Sequence, residues 1–304
     1  MTKIILIAGP TGSGKSDIAL KLAKKINGEI INADSMQVYK QIKILSARPK
    51  NFFNIKHYLY GNISVKINFS SGIWIREVKK VIKKIIRKKK IPIFVGGTGL
   101  YFKLLTDGIS NIPTTPIKIR SKVRKLNKKI GNKKFYNLLV KIDPLSEGKI
   151  MNTDTQRLIR AYEVILHTKK SIFAWQINNT QLFKKFDFIK IFINPEKKII
   201  EKITRFRLKK MFENDVIKEV KDFLKLDIDP SLPANKILGI SEIKDYLNKK
   251  LSLEKTFELT FIRTRQYIKR QLTWSRGHMK DWIRIYNPNF DILTKKIVNI
   301  ISSS

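Results

Sequence analysis

The stretch that most constrains this chain is Gly9-Pro10-Thr11-Gly12-Ser13-Gly14-Lys15-Ser16, set between two different hydrophobic patterns. Before it, Ile4, Ile5, Leu6 and Ile7 form an aliphatic run, the pattern of a buried strand. After it, Ile18, Ala19, Leu22, Ala23 and Ile26 recur at helical spacing. Strand, then G-x-x-x-x-G-K-S, then helix is the context in which this motif cradles phosphate. Glycines let successive backbone N–H groups converge on an anion, and the helix N-terminus adds partial positive charge. Lys15 supplies a point charge to the outer phosphate, and the Ser16 hydroxyl suits Mg²⁺. A di- or triphosphate is expected here, and the same motif marks nucleotide and ATP sites.

Further strands and helices alternate beyond the loop. Glu29 to Ala33 reads as a second short strand leading into Asp34-Ser35-Met36-Gln37-Val38-Tyr39. Residues 40–70 look irregular. Ser70 or Ser71 is placed to cap a helix carrying Val78, Val81, Ile82, Ile85 and Ile86 on one face, with lysines on the other. Ile91 to Val95 is the next buried strand, and it ends in Gly96-Gly97-Thr98-Gly99. This alternation predicts an α/β fold: a P-loop, doubly wound parallel sheet core. Ligands collect beyond the carboxyl ends of such strands, so segments 9–16, 34–39 and 96–101 should share one crevice.

From about Pro113 the pattern becomes helical, with breaks at Asp143-Pro144 and near Asn152-Thr153 and no convincing strand before residue 180. Phe186 to Ile193 reads as a strand returning to the sheet. Helices are expected at 196–212, 215–226 and 253–277, followed by an edge strand at 282–286 and a terminal helix. The division is therefore a core of residues 1–113 and 187–304, with 114–186 as a helical insertion domain.

Composition limits the chemistry. With no cysteine there is no disulfide, thiol nucleophile or cysteine-bound zinc, which agrees with a cytoplasmic protein. No stretch approaches the roughly 18 uninterrupted apolar residues of a membrane span. The first apolar run is read as a strand, not a secretory leader. The formal charge of +39 fits either a polyanionic partner such as nucleic acid or a compositional drift toward Lys, Ile and Asn. His57, His167 and His278 lack metal-ligand spacing.

Several side chains are candidates for chemistry. Asp34, at a strand mouth, suits a metal ligand, a proton acceptor or a simple turn cap. Gly96 to Gly99 suits either close approach to a ligand or a tight turn. On the helix opening at Thr153, Gln156, Arg157 and Arg160 share one side while Leu158, Ile159 and Tyr162 lie opposite. Such guanidinium and amide groups fit phosphates and base edges. Arg205, Arg207, Lys209 and Lys210 form another basic cluster, which is either ordinary surface charge or the source of an arginine that clamps a departing phosphate. On the last long helix, Phe257, Phe261, Ile268 and Leu272 form the buried stripe. Arg263, Gln266 and Arg270 occupy another face, with Tyr267 and Trp274 interleaved, which suits either RNA backbone and exposed bases or a solvated helix face.

Gly9–Ser16, Asp34–Tyr39, Gly96–Tyr101, Asp154–Ala161, Arg207–Met211 and Thr264–Trp274 stand together in the order that resembles bacterial tRNA dimethylallyltransferases, also called tRNA isopentenyltransferases. The resemblance runs from residue 3 to about 285. It implies transfer of a dimethylallyl group from dimethylallyl diphosphate to N6 of the adenine just 3′ of the tRNA anticodon, releasing pyrophosphate. It also implies Asp34 as general base, and Gly9 to Ser16 with Arg207 and Mg²⁺ around the diphosphate. Ser16 and Arg207 would share in catalysis. RNA contacts would come from the Asp34, Ser35, Met36 and Gln37 segment, from Thr98, and from Gln156, Arg157, Leu158, Ile159 and Arg160. The segment Lys236, Ile237, Leu238, Gly239, Ile240 and Ser241 would add to them. The partners are the tRNA anticodon stem-loop and dimethylallyl diphosphate, with no membrane, and the expected unit is a monomer. Ser16 stands where many relatives have Thr, and Gly239-Ile240 replaces the more usual Gly-Tyr. The competing expectation is a P-loop kinase or NTPase acting on a small molecule or on RNA.

Overall fold

A computed structural model describes residues 2–49, 54–177 and 179–286, together with 294, 295, 298 and 299. It divides into two compact units, one of residues 1–104 and 184–304 and one of residues 105–183.

The first unit is a six-stranded parallel sheet. Its strands are β1 (Thr2–Ala8), β2 (Gly28–Asn32), β3 (His57–Tyr58), β4 (Ile91–Gly96), β7 (Phe186–Ile193) and β8 (Ile283–Ile285), in the order β3-β2-β4-β1-β7-β8. The three central strands read as near-continuous apolar runs because both faces are covered. Helix α1 (Lys15–Lys25) packs Ile18, Ala19, Leu22 and Ala23 against Ile5, Ile7, Ile93 and Val95. Phe94 points to the opposite face, where Trp74 of α2 (Ser71–Arg87) meets it edge-on, so helices cover both sides. Ser70 caps α2 by accepting from the Ile73 N–H. Residues 40–70, expected to be irregular, supply edge strand β3, whose two residues are too short to leave a periodic signal.

The remaining helices are α3 (Gly99–Thr106), which follows β4, and α7 (Lys197–Glu213), α8 (Val216–Leu224), α9 (Ile240–Leu247) and α10 (Leu253–His278), which pack on one another. The sequence reading passed over α9, because Gly239 before it breaks the pattern. The buried face of α10 is also broader than its apolar stripe. Thr256, Thr260 and Thr264 are buried on it, each hydroxyl donating to the carbonyl one turn earlier. The terminal helix expected after residue 286 falls largely outside the described residues. Among the described residues no helix is long and apolar enough to cross a membrane.

The second unit holds α4 (Ile117–Ile142), α5 (Thr155–Thr168) and α6 (Ile172–Ile177) around Val123, Phe135, Leu139, Leu158 and Ala161. Gly131 interrupts α4 with non-helical angles, a break not read from sequence. The expected break at Asp143-Pro144 is built around the buried Asp143 carboxylate, which accepts from the Ser146 and Ser171 hydroxyls. The expectation of no strand is corrected by a two-residue antiparallel ribbon of β5 (Ile109–Ser110) and β6 (Asn179–Thr180). The second unit begins at residue 105, in the last turn of the helix over Gly99–Thr106, and takes in the ribbon, whereas the expected insertion begins at 114.

Parallel registry sets Ala8 beside Gly96 and Asn32 beside Val95, so three strands finish at one level. Gly96 then passes so close to the neighbouring turn that an added Cβ would lie 2.0 Å from the Ala33 carbonyl oxygen. Gly96→Ala is expected to cost about 1–3 kcal/mol of stability through overpacking, read as a lower urea midpoint; an unchanged midpoint would show that the turn is not tightly held.

Candidate active site

The loop between β1 and α1 turns on two glycines in the left-handed region, Gly12 at φ 79° and Gly14 at φ 77°. Side-chain-bearing residues rarely adopt that conformation, which is why these positions require glycine. Gly14 is the N-cap of α1, and the first turn leaves N–H groups without intrahelical acceptors beside Lys15 and Ser16. These are the elements of an anion cradle. Ser16 is partly exposed, whereas Gly12 and Ser13 are buried. The Lys15 ammonium folds back to donate to the Pro10 carbonyl at 3.1 Å.

Two helices hold the loop from outside. On α7, Ile200, Thr204 and Leu208 are buried on one face, and Thr204 lies so close to Gly12 that a Cβ there would meet its hydroxyl at 2.8 Å. Arg207 reaches the loop from that helix and donates to the Thr11 hydroxyl at 2.5 Å. The rest of its cluster is committed elsewhere. Arg205 pairs with Glu258 and lies over the Phe257 and Phe261 rings, while Lys209 and Lys210 pair with Glu213. From α10, Gln271 accepts from the Thr11 N–H at 3.1 Å and donates to the Gly97 carbonyl at 2.9 Å. One amide thus joins the first loop to the Gly96–Gly99 turn. Sequence reading missed Gln271, since Arg263, Gln266 and Arg270 on the same helix carried the more conspicuous signal.

The acid side is equally constrained. Asn32, wholly buried, accepts from the Asp34 N–H at 2.8 Å and donates to the Asp34 and Leu59 carbonyls. Asp34 Oδ1 accepts from the Met36 N–H at 2.9 Å, an Asx turn that fixes the carboxyl and leaves its other oxygen outside that bond. Thr98 accepts from the Ser35 N–H at 2.9 Å and shares a 3.2 Å hydrogen bond with the Ser35 hydroxyl. The Gln37 amide donates to the Ser46 and Ala47 carbonyls at 3.1 Å, so that end of the side chain is taken up internally.

Charges show that the two sides face each other. Burial lowers the Lys15 pKa from 10.5 to about 8; the Asp34 charge acts in the opposite sense and the Arg207 charge in the same one. Burial also lowers the Arg207 pKa, opposed by Asp34. Tyr60, Tyr101 and Tyr267 have their phenol pKa values raised by burial first and by Asp34 next. Asp34 therefore lies within electrostatic reach of Lys15, Arg207 and three tyrosines. Trp74 stacks on Tyr101 with centroids 4.0 Å apart, and the Trp274 ring lies against Gly99.

The other expected residues are placed as follows. Lys236 and Ser241 are exposed, Ile237 and Ile240 are buried, and Gly239 adopts φ 95° at the N-terminus of α9. Arg263 pairs with Glu242 and donates to the Ser241 hydroxyl, so it is not free on the α10 face. In the second unit Gln156 and Arg157 are exposed and Ile159 is half-buried, but Leu158 is wholly buried and its side chain is not presented to a ligand. Arg160 turns inward to the Thr115 hydroxyl at 3.1 Å. With Arg120 and Arg124 it surrounds the buried Glu163 carboxylate, each 3.8 Å away. Sequence reading missed Glu163 because it falls between apolar residues of the same helix.

This geometry defines an α/β protein whose first strand-to-helix turn is a P-loop-type glycine loop opposite a carboxylate at the next strand's end. Comparison then narrows the class. Residues 37–278 match the model of the IPP transferase family, and residues 2–57 match that of isopentenyl transferases. The chain is 50% identical to a tRNA dimethylallyltransferase of Pelagibacter ubique, covering 97% of this chain and 95% of that one. It is 42% identical to one of Rickettsia bellii, covering 98% and 96%. Among solved structures it is similar to the full-length tRNA isopentenylpyrophosphate transferase of Bacillus halodurans, with a TM-score of 0.71, 27% identity, and 100% and 96% of the two chains covered. It is also similar to a eukaryotic dimethylallyltransferase acting on tRNA, with a TM-score of 0.82, 29% identity, and 94% and 74% covered. The chain belongs to the IPP transferase family.

The enclosed lysine generates a pH dependence. Its lowered pKa means the unfolded chain holds the proton where the folded chain has lost it, so this group adds stability as pH rises from about 8 toward 10.5. An anion in the loop favours the charged lysine, so the sign reverses for binding. Pyrophosphate affinity, measured calorimetrically, is expected to fall by up to about tenfold per pH unit above that point. In Lys15→Met, binding should be weaker overall and lack that component of the slope. Identical slopes in both proteins would show that Lys15 does not touch the anion.

Proposed function

We propose that this chain transfers the dimethylallyl group of dimethylallyl diphosphate to N6 of the adenine 3′-adjacent to the anticodon in tRNA, releasing pyrophosphate. The observation that carries the reading is that strand registry ends β1, β4 and β2 at one level, which brings the glycine loop, with Lys15 and the Arg207–Thr11 hydrogen bond, to the same end of the sheet as Asp34. Allylic transfer needs an anion cradle and a proton acceptor on opposite sides of the reacting carbon, and these three groups supply both.

In this mechanism the diphosphate lies along Gly9–Ser16, where glycine-loop amides, Lys15 and Arg207 stabilise the charge that develops as the C1–O bond breaks. The adenine leaves its stack and enters with N6 toward Asp34, an unstacking that costs a few kcal/mol. N6 attacks C1, the C1–O electron pair departs with pyrophosphate, and the N6 proton passes to the Asp34 carboxylate. The Thr98–Ser35 pair holds that wall of the crevice in place. Buried Tyr101 and partly buried Tyr60 and Tyr267 near Asp34 limit water near an allylic centre that water would otherwise capture.

Mg²⁺ fits this site as a partner of the diphosphate. Among the described residues no group of three His, Cys, Asp or Glu could hold a metal by itself. Ser16, on the first turn of α1, would hold the ion together with phosphate oxygens, the arrangement Mg²⁺ prefers. When bound there, Mg²⁺ supplies positive charge to the leaving group. Exposed Gln156, Arg157, Lys236 and Ser241 are the side chains we assign to RNA. Cytoplasmic location suits a cysteine-free chain with a tRNA substrate. One chain carries every residue used, which supports a monomer as the functional unit.

Incubation with Mg²⁺, labelled dimethylallyl diphosphate and unmodified tRNA bearing adenine 3′ of the anticodon is expected to move the label to that adenine, with stoichiometric pyrophosphate. Turnover of ATP without label transfer would establish a kinase or NTPase instead, and RNA binding without either reaction would leave a binding protein.

A further inference from the structure

Residues 43–48 form a compact turn in which the Ala47 N–H donates to the Ile44 carbonyl and the Arg48 N–H to the Lys43 carbonyl. Like the start of a helix, such a turn leaves its leading N–H groups unmatched. A side chain from elsewhere matches them. Glu219, on α8, accepts from the N–H groups of Lys43 at 2.6 Å, Ile44 at 2.8 and 3.1 Å, and Leu45 at 2.9 Å. Three consecutive amides converging on one carboxylate form a charge-assisted anion nest, here filled by the protein's own acid.

The turn so held touches both segments of the first unit, 34–39 and 236–241, for which the family resemblance implies RNA contacts. Its Ser46 and Ala47 carbonyls accept from Gln37, and Arg48 donates to the Tyr39 carbonyl at 3.2 Å, fixing the far end of the Asp34–Tyr39 segment. On its other side Leu45 packs against Gly239 so closely that an added Cβ would meet it at 2.7 Å. Gly239 is itself at φ 95°, a conformation that favours glycine, so the close approach of Leu45 depends on the absence of a side chain there.

We propose that Glu219 is a positioning residue that sets the spacing between the 34–39 and 236–241 segments for RNA, through the 43–48 turn. The inference rests on the reading under Proposed function. Glu219 contacts neither the diphosphate cradle nor Asp34. Its removal leaves the cradle braced by Arg207 and Gln271 from other helices, and Asp34 held by Asn32, so the loss is expected on the RNA side.

The test compares wild type, Glu219→Ala and Glu219→Gln. Pyrophosphate affinity is measured by calorimetry, anticodon stem-loop RNA affinity by fluorescence anisotropy, and KM and kcat for tRNA by label transfer. Glu219→Ala is expected to weaken RNA binding and raise the tRNA KM by about tenfold or more, the scale on which small misplacements act, with pyrophosphate affinity changed less than about twofold. Glu219→Gln, which keeps one acceptor oxygen but offers no charge, should fall between Glu219→Ala and wild type. Unchanged RNA affinity in Glu219→Ala, or an equal loss of pyrophosphate affinity in both variants, would overturn the positioning role alone. A wild-type protein that binds no stem-loop RNA and transfers no label would overturn the function proposed above, and this inference with it.

Discussion

The site depends on the close approach of two strand ends. β4 passes β2 with Gly96 pressed against the Ala33 carbonyl, and the Thr98 N–H donates back to that carbonyl at 3.2 Å. Because β1 pairs with β4 on the other side, this contact fixes the distance from the glycine loop to Asp34. Buried Asn32 and the Trp74 indole, which donates to the Asn32 carbonyl at 3.0 Å, lock the β2 end. No flexible loop has to be ordered for an anion and a carboxylate to face one another. The sheet's hydrogen bonding has already done it.

On that frame, charge is placed where burial strengthens it. A lysine and an arginine largely withdrawn from water stand near a single carboxylate, and the shifts of Lys15 and Arg207 record the cost. Such a cost is sensible only if an anion arrives to offset it. The diphosphate would do so, and its departure after transfer as free pyrophosphate would restore the starting state. Asp34 holds one oxygen in its own turn, which aims the carboxyl without neutralising it.

Much of this was legible in the chain. The aliphatic strand runs, the glycine loop and the amphipathic helices carry strong signals, and they place segments 9–16, 34–39 and 96–101 beyond the carboxyl ends of three neighbouring strands. What escaped reading was the bracing. Gln271 touches Thr11 across 260 positions, and Glu219 meets Lys43 across 176, separations over which periodicity says nothing. Glu163, which falls between apolar residues and carried no signal of its own, is the buried centre of three arginines. The two-residue strands β3, β5 and β6 are too short for any alternation to show. The cluster at 205–210 could not be sorted by composition; only the face of α7 that meets the glycine loop singles out Arg207.

The central claim is that Asp34 takes the amine proton while the glycine loop takes the diphosphate, and Asp34→Asn separates the two most directly. The amide keeps an acceptor for the Met36 N–H but cannot accept the amine's proton. Single-turnover transfer from a preformed complex with tRNA and dimethylallyl diphosphate is the measurement. Transfer should slow by about 10²- to 10⁴-fold, with pyrophosphate affinity undiminished. A rate within a few-fold of wild type would contradict the account.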